Sequence, residues 1–486
     1  MRAQYILGSM LKRLGLLLAA LVVIAGALYV LLGFRIAVDG SGMRPRFIVR
    51  DRYAELEANR ARQREDTLAA APVAAIADPA PAVAEEPGPA READPPAAVA
   101  HRASWPDFRG PRRDGRYDAA PIRTSWPAEG LPLVWKQPIG LGYASFVAAD
   151  RRAFTIEQRR GEEVVAAYDI ETGRELWTQG WDGAFVEAMG GDGPRATPTY
   201  HLGHVYALGA LGELRALDAA TGAVVWRRNI LTDNGASNLS WGMAASPLIV
   251  DDTVVVLPGG AGGRSVAAYD AATGAPMWTS QDDVQAYTAP MLVTLAGVRQ
   301  ILVVSEHRIM GLTTGEGRLL WDYPWRTSNG INVAQPLLLG EDRVFISAAY
   351  GHGAAVVEIA RQGEQFEART VWESSRMKNK FTSSVLHDGY IYGLDEAILA
   401  CLDATTGELQ WKGGRYGYGQ LLLAGDHLVV ITESGDLVLV AATPERHVEL
   451  ARFDAIDGKT WNHPIIADGR LLVRNAQEMA AFDIRP

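Results

Sequence analysis

Cysteine is almost absent: Cys401 is the only one in 486 residues. That excludes an internal disulfide framework, a C-x-x-C redox pair, a C-x-x-C-H haem attachment and a cysteine-rich zinc site in this chain. Positive charge is not in surplus either. Lys and Arg number 47 against 57 Asp and Glu, a formal net charge of -10, so nucleic-acid binding has no global electrostatic support. Long amphipathic helices are missing from residue 131 onward, and only one long apolar run occurs.

That run, Leu14 to Phe34, is 21 residues without a charge, enough to cross a hydrocarbon core of about 30 Å as a helix. It exceeds the roughly 7 to 15 residues of a signal-peptide core, so a transmembrane anchor over 14–34 is expected, after a short segment 1–13. No cysteine follows the run, which argues against a lipoprotein. Arg2, Lys12 and Arg13 precede it while Arg35, Arg44, Arg46 and Arg50 follow, so flanking charge leaves the orientation open. In the juxtamembrane segment 35–66, the stretch Asp51 to Asp66 is polar on every face and reads as a solvated helix. Residues 67–104 are dominated by Ala, Pro, Val and acids, a composition that buries no core; a disordered linker is expected. At full stretch it would hold the next domain roughly 100 Å from the membrane. An irregular lead-in, 105–130, follows.

From residue 131 to 486 the chain is strand-like, with β-branched and aromatic runs separated by Gly, Asp and Asn turns. One phrase recurs: "AAYDIETGRELW", "RALDAATGAVVW", "AAYDAATGAPMW" and "ACLDATTGELQW". Its anchors are Asp169, Gly173 and Trp177; Asp218, Gly222 and Trp226; Asp270, Gly274 and Trp278; Asp403, Gly407 and Trp411. The Asp carboxylate can accept turn N–H groups, Gly supplies positive φ for a hairpin with a bulge, and the Trp needs a neighbouring sheet to cover it. Counting Trp135, Trp321, Trp372 and Phe453, eight outer-strand aromatics follow at steps of 39 to 52 residues. The turn half is weak at Thr313, remodelled near Ile359 and lost at Ala442; it returns at Asp483, where the chain stops before any Trp. The strand around Trp135 would complete that last unit. The expected fold is all-β: an eight-bladed propeller of four-stranded antiparallel blades, closed by an N-terminal strand.

The phrase A-x-D-x-x-T-G-x-x-x-W resembles the tryptophan-docking motif of quinoprotein-type, PQQ-like β-propellers, and "WPDFRGPRRDG" resembles the opening of many bacterial PQQ-binding-like repeat proteins. The resemblance implies a domain exported to the periplasm, on an inner-membrane anchor. It also implies two function classes, because this scaffold hosts quinone-dependent alcohol dehydrogenases and non-catalytic interaction proteins such as the propeller lipoprotein of the outer-membrane barrel-assembly machinery. A binding scaffold for a protein partner or small anionic ligand is the leading expectation. The alternative is a PQQ-dependent alcohol or sugar dehydrogenase, with PQQ and Ca as cofactors. Against it, the chain cannot form the vicinal cysteine pair of the well-known alcohol dehydrogenases and shows no local calcium-site spacing; Asp192, Asp282 and Asp283 are the acids that would be recruited. No catalytic residue or metal ligand is assigned. His201 and His204 read as a hairpin turn, and Cys401 as a small buried strand residue in the place of Ala167, Ala216 and Ala268.

Binding residues are expected on the loops that converge on one mouth of the channel. Arg195, Arg326, Lys378 and Lys380 offer positive charge, Trp241 and Trp461 offer stacking surfaces, and Asn332, Gln335 and His463 precede inner strands.

Overall fold

The recurring phrase folds as its chemistry requires. Asp218 Oδ1 accepts from the Thr221 amide at 2.8 Å and its hydroxyl at 2.7 Å, while the Gly222 amide donates to the Asp218 carbonyl at 2.8 Å. Gly222 stands at φ +77°, and the register shifts between Ala216 and Leu217, the expected bulge. The tryptophan then docks on the next unit. Trp177 Nε1 donates to the Ala219 carbonyl at 3.1 Å, and its ring lies so close to Gly222 that an added Cβ would sit 2.6 Å from Cε3. Trp135, Trp226 and Trp372 repeat this against Gly173, Gly274 and Gly407. Where the motif is remodelled near Ile359, Trp321 instead donates to Gln300 of its own unit at 2.7 Å.

The computed structural model describes residues 14–27, 35–38, 45–48, 52–70 and 103–486. Eight antiparallel four-stranded blades result, numbered here by their innermost strands: Val147–Ala149, Thr199–His201, Leu248–Val250, Met291–Leu295, Leu337–Leu339, Val385–His387, Gln420–Ala424 and Ile465–Ala467. The outer strand of blade 8 is Leu133–Pro138, paired antiparallel with Glu478–Asp483 so that Trp135 faces Ala481. The ring is thus closed by a strand from the N-terminal side, as expected. Cys401 faces Trp411 as Ala216 faces Trp226, fully buried, and burial pushes its thiol up to about 12. His201 and His204 pair across a two-residue turn.

The lead-in is more ordered than expected. Ala103–Trp105 adds a fifth strand to the inner edge of blade 1, and Arg116–Tyr117 pairs parallel with the inner strand of blade 7. Between them the chain plugs the channel. Arg109, 1% exposed, donates to the carbonyls of Ser383 at 3.3 Å and Ser384 at 2.7 Å. Arg113, 2% exposed, donates to those of Pro290 at 2.7 Å and Pro247, and pairs with Asp107 at 2.5 Å. Carbonyls at the starts of inner strands are therefore satisfied by guanidinium groups of the plug, a use for which Arg has enough donors.

The polar stretch after Asp51 also differs from expectation. It lies in the helix Arg52–Ala70, and one face of that helix is not solvated. Leu56 and Arg60 are 2% and 3% exposed. Arg60 bonds Gln137 at 3.0 Å and the Pro138 carbonyl at 3.1 Å, pairs with Glu175 at 3.2 Å and lies over the Tyr168 ring at 5.1 Å. Gln63 bonds Gln137 at 2.6 Å, and Arg160 holds Glu57 at 2.5 and 2.7 Å. The helix thus spans the seam between blades 8 and 1. Both described elements that flank the Ala/Pro segment pack on the propeller. Residues 71–102 of that segment lie outside the described residues, as do 28–34 of the expected span. Residues 14–27 are helical, and among the described residues no helix is long and apolar enough to cross a membrane.

Candidate binding site at the channel mouth

Each outer strand leads through a loop to the next inner strand, and these loops gather at one end of the channel together with the turns between second and third strands. They bring seven partly exposed aromatic rings together: Tyr143, Trp241, Tyr287, Tyr350, Phe381, Tyr418 and Trp461. Trp461 lies 4.3 Å from Phe381 and 5.3 Å from Tyr143, Phe381 lies 5.7 Å from Tyr418, and Trp241 meets Tyr287 edge-on at 5.8 Å. Three cations sit on these faces. Lys380 Nζ is 4.3 Å from the Tyr418 ring, Lys459 Nζ is 4.1 Å from the Trp461 ring, and the Arg195 guanidinium lies 4.5 Å from Phe185 and 5.5 Å from Tyr143. Attraction of a cation to a ring quadrupole strengthens as water is removed, so covering this rim would tighten contacts already present.

The rim is braced from below. Trp461 Nε1 donates to Glu433 at 2.9 Å, Lys459 Nζ to the Gly190 carbonyl at 2.6 Å, and Arg195 to the Gly191 carbonyl at 2.7 Å. Burial pulls the Arg195 guanidinium below its ordinary range and pushes the Tyr287 phenol up to about 12. Under the rim lies the plug, whose Phe108 meets His463 edge-on at 6.0 Å.

The structure divides the expected residues into two groups. Arg195, Trp241, Lys380 and Trp461 share the rim, while Arg326 is exposed on the loop into blade 5 and Lys378 stands 3.8 Å from Asp395. Asn332, Gln335 and His463 are not presented to a ligand. Asn332 donates to the Ser305 carbonyl at 2.9 Å, and Gln335 exchanges two bonds with the Ala289 backbone at 2.8 and 3.0 Å, so both join neighbouring blades. His463 is 4% exposed, its Nδ1 is 2.7 Å from the Pro464 carbonyl, and burial holds its pKa down at about 3. Tyr143, Tyr287, Phe381, Tyr418 and Lys459 were missed by sequence reasoning, although a tally of aromatics in the loops entering each blade would have found the four rings; Tyr350 lies in a turn within blade 5.

The acids expected to hold a calcium ion do not converge into a site. Asp283 is already committed to Ser305 at 2.6 Å, to His307 and to Arg308, Asp282 accepts from Gly262, and Asp192 from Glu187. Among the described residues no three His, Cys, Asp or Glu side chains converge as a metal site would need, and the channel beneath is partly occupied by Trp105 to Tyr117, which leaves a cavity of about 360 Å³ against the inner strands of blades 3 to 6, lined by Asp107, Arg113, Leu248, Met291 and Leu337.

Comparison with known proteins agrees on the scaffold. The family described as outer membrane protein assembly factor BamB matches residues 161–413, just over half of the chain. The protein of that name from Bordetella pertussis is 23% identical over 317 residues, 62% of this chain and 72% of the relative. The crystal structure of BamB from Moraxella catarrhalis superimposes with a TM-score of 0.52 at 17% identity, covering 73% of this chain and 100% of that one. A quinohemoprotein alcohol dehydrogenase from Pseudomonas putida HK5 gives 0.58 at 14% identity, covering 78% and 80%, which speaks for the fold alone. With its phased tryptophan-docking repeats and eight closed blades, the chain belongs to the family of the outer membrane protein assembly factor BamB.

Proposed function

We propose that this protein is a membrane-anchored scaffold of the periplasm that holds a protein partner against the rim of its channel mouth. The observation that carries this reading is the ring of seven aromatic side chains and three cations above a channel whose entrance is crossed by the protein's own chain. An aromatic rim above a plugged channel suits a ligand held at the surface, and Trp, Tyr and Arg are the side chains that dominate protein interfaces. Membership of a family named for outer membrane protein assembly supports a partner among envelope proteins. The anchoring rests on Leu14 to Phe34, whose length and lack of charge suit an inner-membrane helix.

The test is crosslinking in native membranes, with partners identified for the wild-type chain and for Trp461→Ala combined with Lys380→Ala. Removing two central contacts of about 1 to 2 kcal/mol each lowers recovery of a specific partner at least tenfold. Equal recovery from both chains would overturn the assignment to the rim. The dehydrogenase alternative predicts saturable, calcium-dependent PQQ binding by calorimetry; the dispersed acids lead us to expect none.

A further inference from the structure

The docked helix carries directional information. Within each blade the first strand runs from the mouth to the far face, the second returns, and the turn after it lies at the mouth. Glu57 is held by Arg160, in the mouth-side turn of blade 1, whereas Gln63, nearly two turns on, accepts from the backbone of Glu175 at the start of that blade's outer strand, toward the far face. The helix therefore begins on the mouth side and proceeds away from it.

What precedes the helix is short. Strands Arg35–Val38 and Pro45–Ile48 form a hairpin with Arg35 opposite Ile48. Ladder partners lie about 5 Å apart, and four chain steps from Ile48 to Arg52 span at most about 14 Å, so the end of the apolar run stands within roughly 20 Å of the helix's first turn. On the far side, the Ala/Pro segment leaves a docked helix and re-enters at Ala103, opposite Ala149 at the far end of an inner strand. It joins two points of the propeller and is not the spacer.

We infer that the helix Arg52–Ala70 is an orienting clasp that holds the propeller close to the membrane with its aromatic rim turned toward the bilayer, so that the partner is a protein segment presented at the membrane surface. The inference rests on the anchoring and rim binding proposed above. Its geometric core does not, because the side of the propeller on which the apolar run emerges is a property of the chain alone.

Spin-label distances test this in the full chain in detergent, with Cys401→Ala as background. A label at Ile36→Cys is paired with Val186→Cys, exposed in the mouth loop leaving blade 1, or with Ala220→Cys, exposed in the far-face turn of blade 2. The clasp predicts that the Ile36–Val186 distance is shorter than Ile36–Ala220 by about 15 Å, most of a strand's length. Leu56→Asp combined with Arg60→Asp broadens both distributions and removes the difference. The reverse order of distances, or no change on breaking the clasp, overturns the inference. Vesicle flotation reads anchoring separately: a chain that floats yet shows the reverse order defeats the clasp alone, and one that shows the expected order without floating keeps the clasp and defeats the membrane-facing role.

Discussion

Two buried titratable side chains near the mouth set opposite pH limits. Glu163 is fully buried, accepts from the Ala210 amide at 2.7 Å and from Trp181 Nε1 at 3.0 Å, and is pushed up to about 7 by burial despite those bonds. An unfolded Glu titrates near about 4.3, so this residue's stabilising contribution is complete below that value and is lost as pH rises through about 7, roughly 3.5 kcal/mol in all. His463, held at about 3, behaves in the opposite sense: its contribution is complete above its unfolded value of about 6.5 and is lost as pH falls toward 3. As far as these two groups are concerned, their opposite slopes cancel between about pH 4.3 and 6.5, so melting temperature against pH should show a plateau there, falling above it to about pH 7 and below it to about pH 3. Glu163→Gln should remove a fall that runs from about pH 4.3 to 7, and His463→Gln one that runs from about pH 6.5 down to 3. A limb unchanged in its variant assigns that fall to other groups. Neither role is legible in the sequence, where Glu163 is one acid in a turn and His463 reads as a loop residue, because each pKa is made by the blades that bury it.

At the element scale the twelve-residue phrase is a joint between blades, and its glycine bears two constraints at once. Gly222 needs positive φ and has no room for a Cβ against Trp177. Gly222→Ala should cost roughly 3 kcal/mol, seen as a lower denaturation midpoint with unchanged slope. Gly297 stands at φ +73° with nothing within 4 Å of an added Cβ, so Gly297→Ala bears the backbone strain alone and should cost about 1 kcal/mol. Equal costs would mean that the docking contact is not what the glycine serves. Spacing revealed the hairpin and its bulge, yet that Trp135, Trp177, Trp226 and Trp372 cover the following turn and not their own is a matter of packing. The polar helix failed similarly: Leu56, Arg60 and Gln63 form no apolar stripe, and docking uses hydrogen bonds and an ion pair that hydrophobic periodicity does not register.

At the scale of the whole molecule, the plug ties the ring across its centre. Arg113 bonds carbonyls leading into blades 3 and 4, Arg109 those leading into blade 6, and burial pulls the Arg109 guanidinium down to about 10. Arg113→Met would strand the Pro247 and Pro290 carbonyls and should cost roughly 3 kcal/mol. Hydrogen exchange should show where: the Tyr200 amide, bonded to Pro106, and the Leu423 amide, bonded to Gly115, should lose protection, while the Leu217 amide inside blade 2 keeps it. Uniform loss across all three would make the plug part of one cooperative core.

Sequence alone determined the number of blades, their phase and the strand that closes the ring, because those depend on local turn chemistry written at regular intervals and on one missing Trp supplied from the other end. The tertiary structure decided what plugs the channel, which rings share the rim, and that one face of the polar helix packs on the propeller. Arg109 and Arg113 meet their carbonyl partners across more than a hundred residues of chain, and the rim draws one side chain from each of several loops. Contacts of that kind leave no local pattern, since they exist only once the ring has closed.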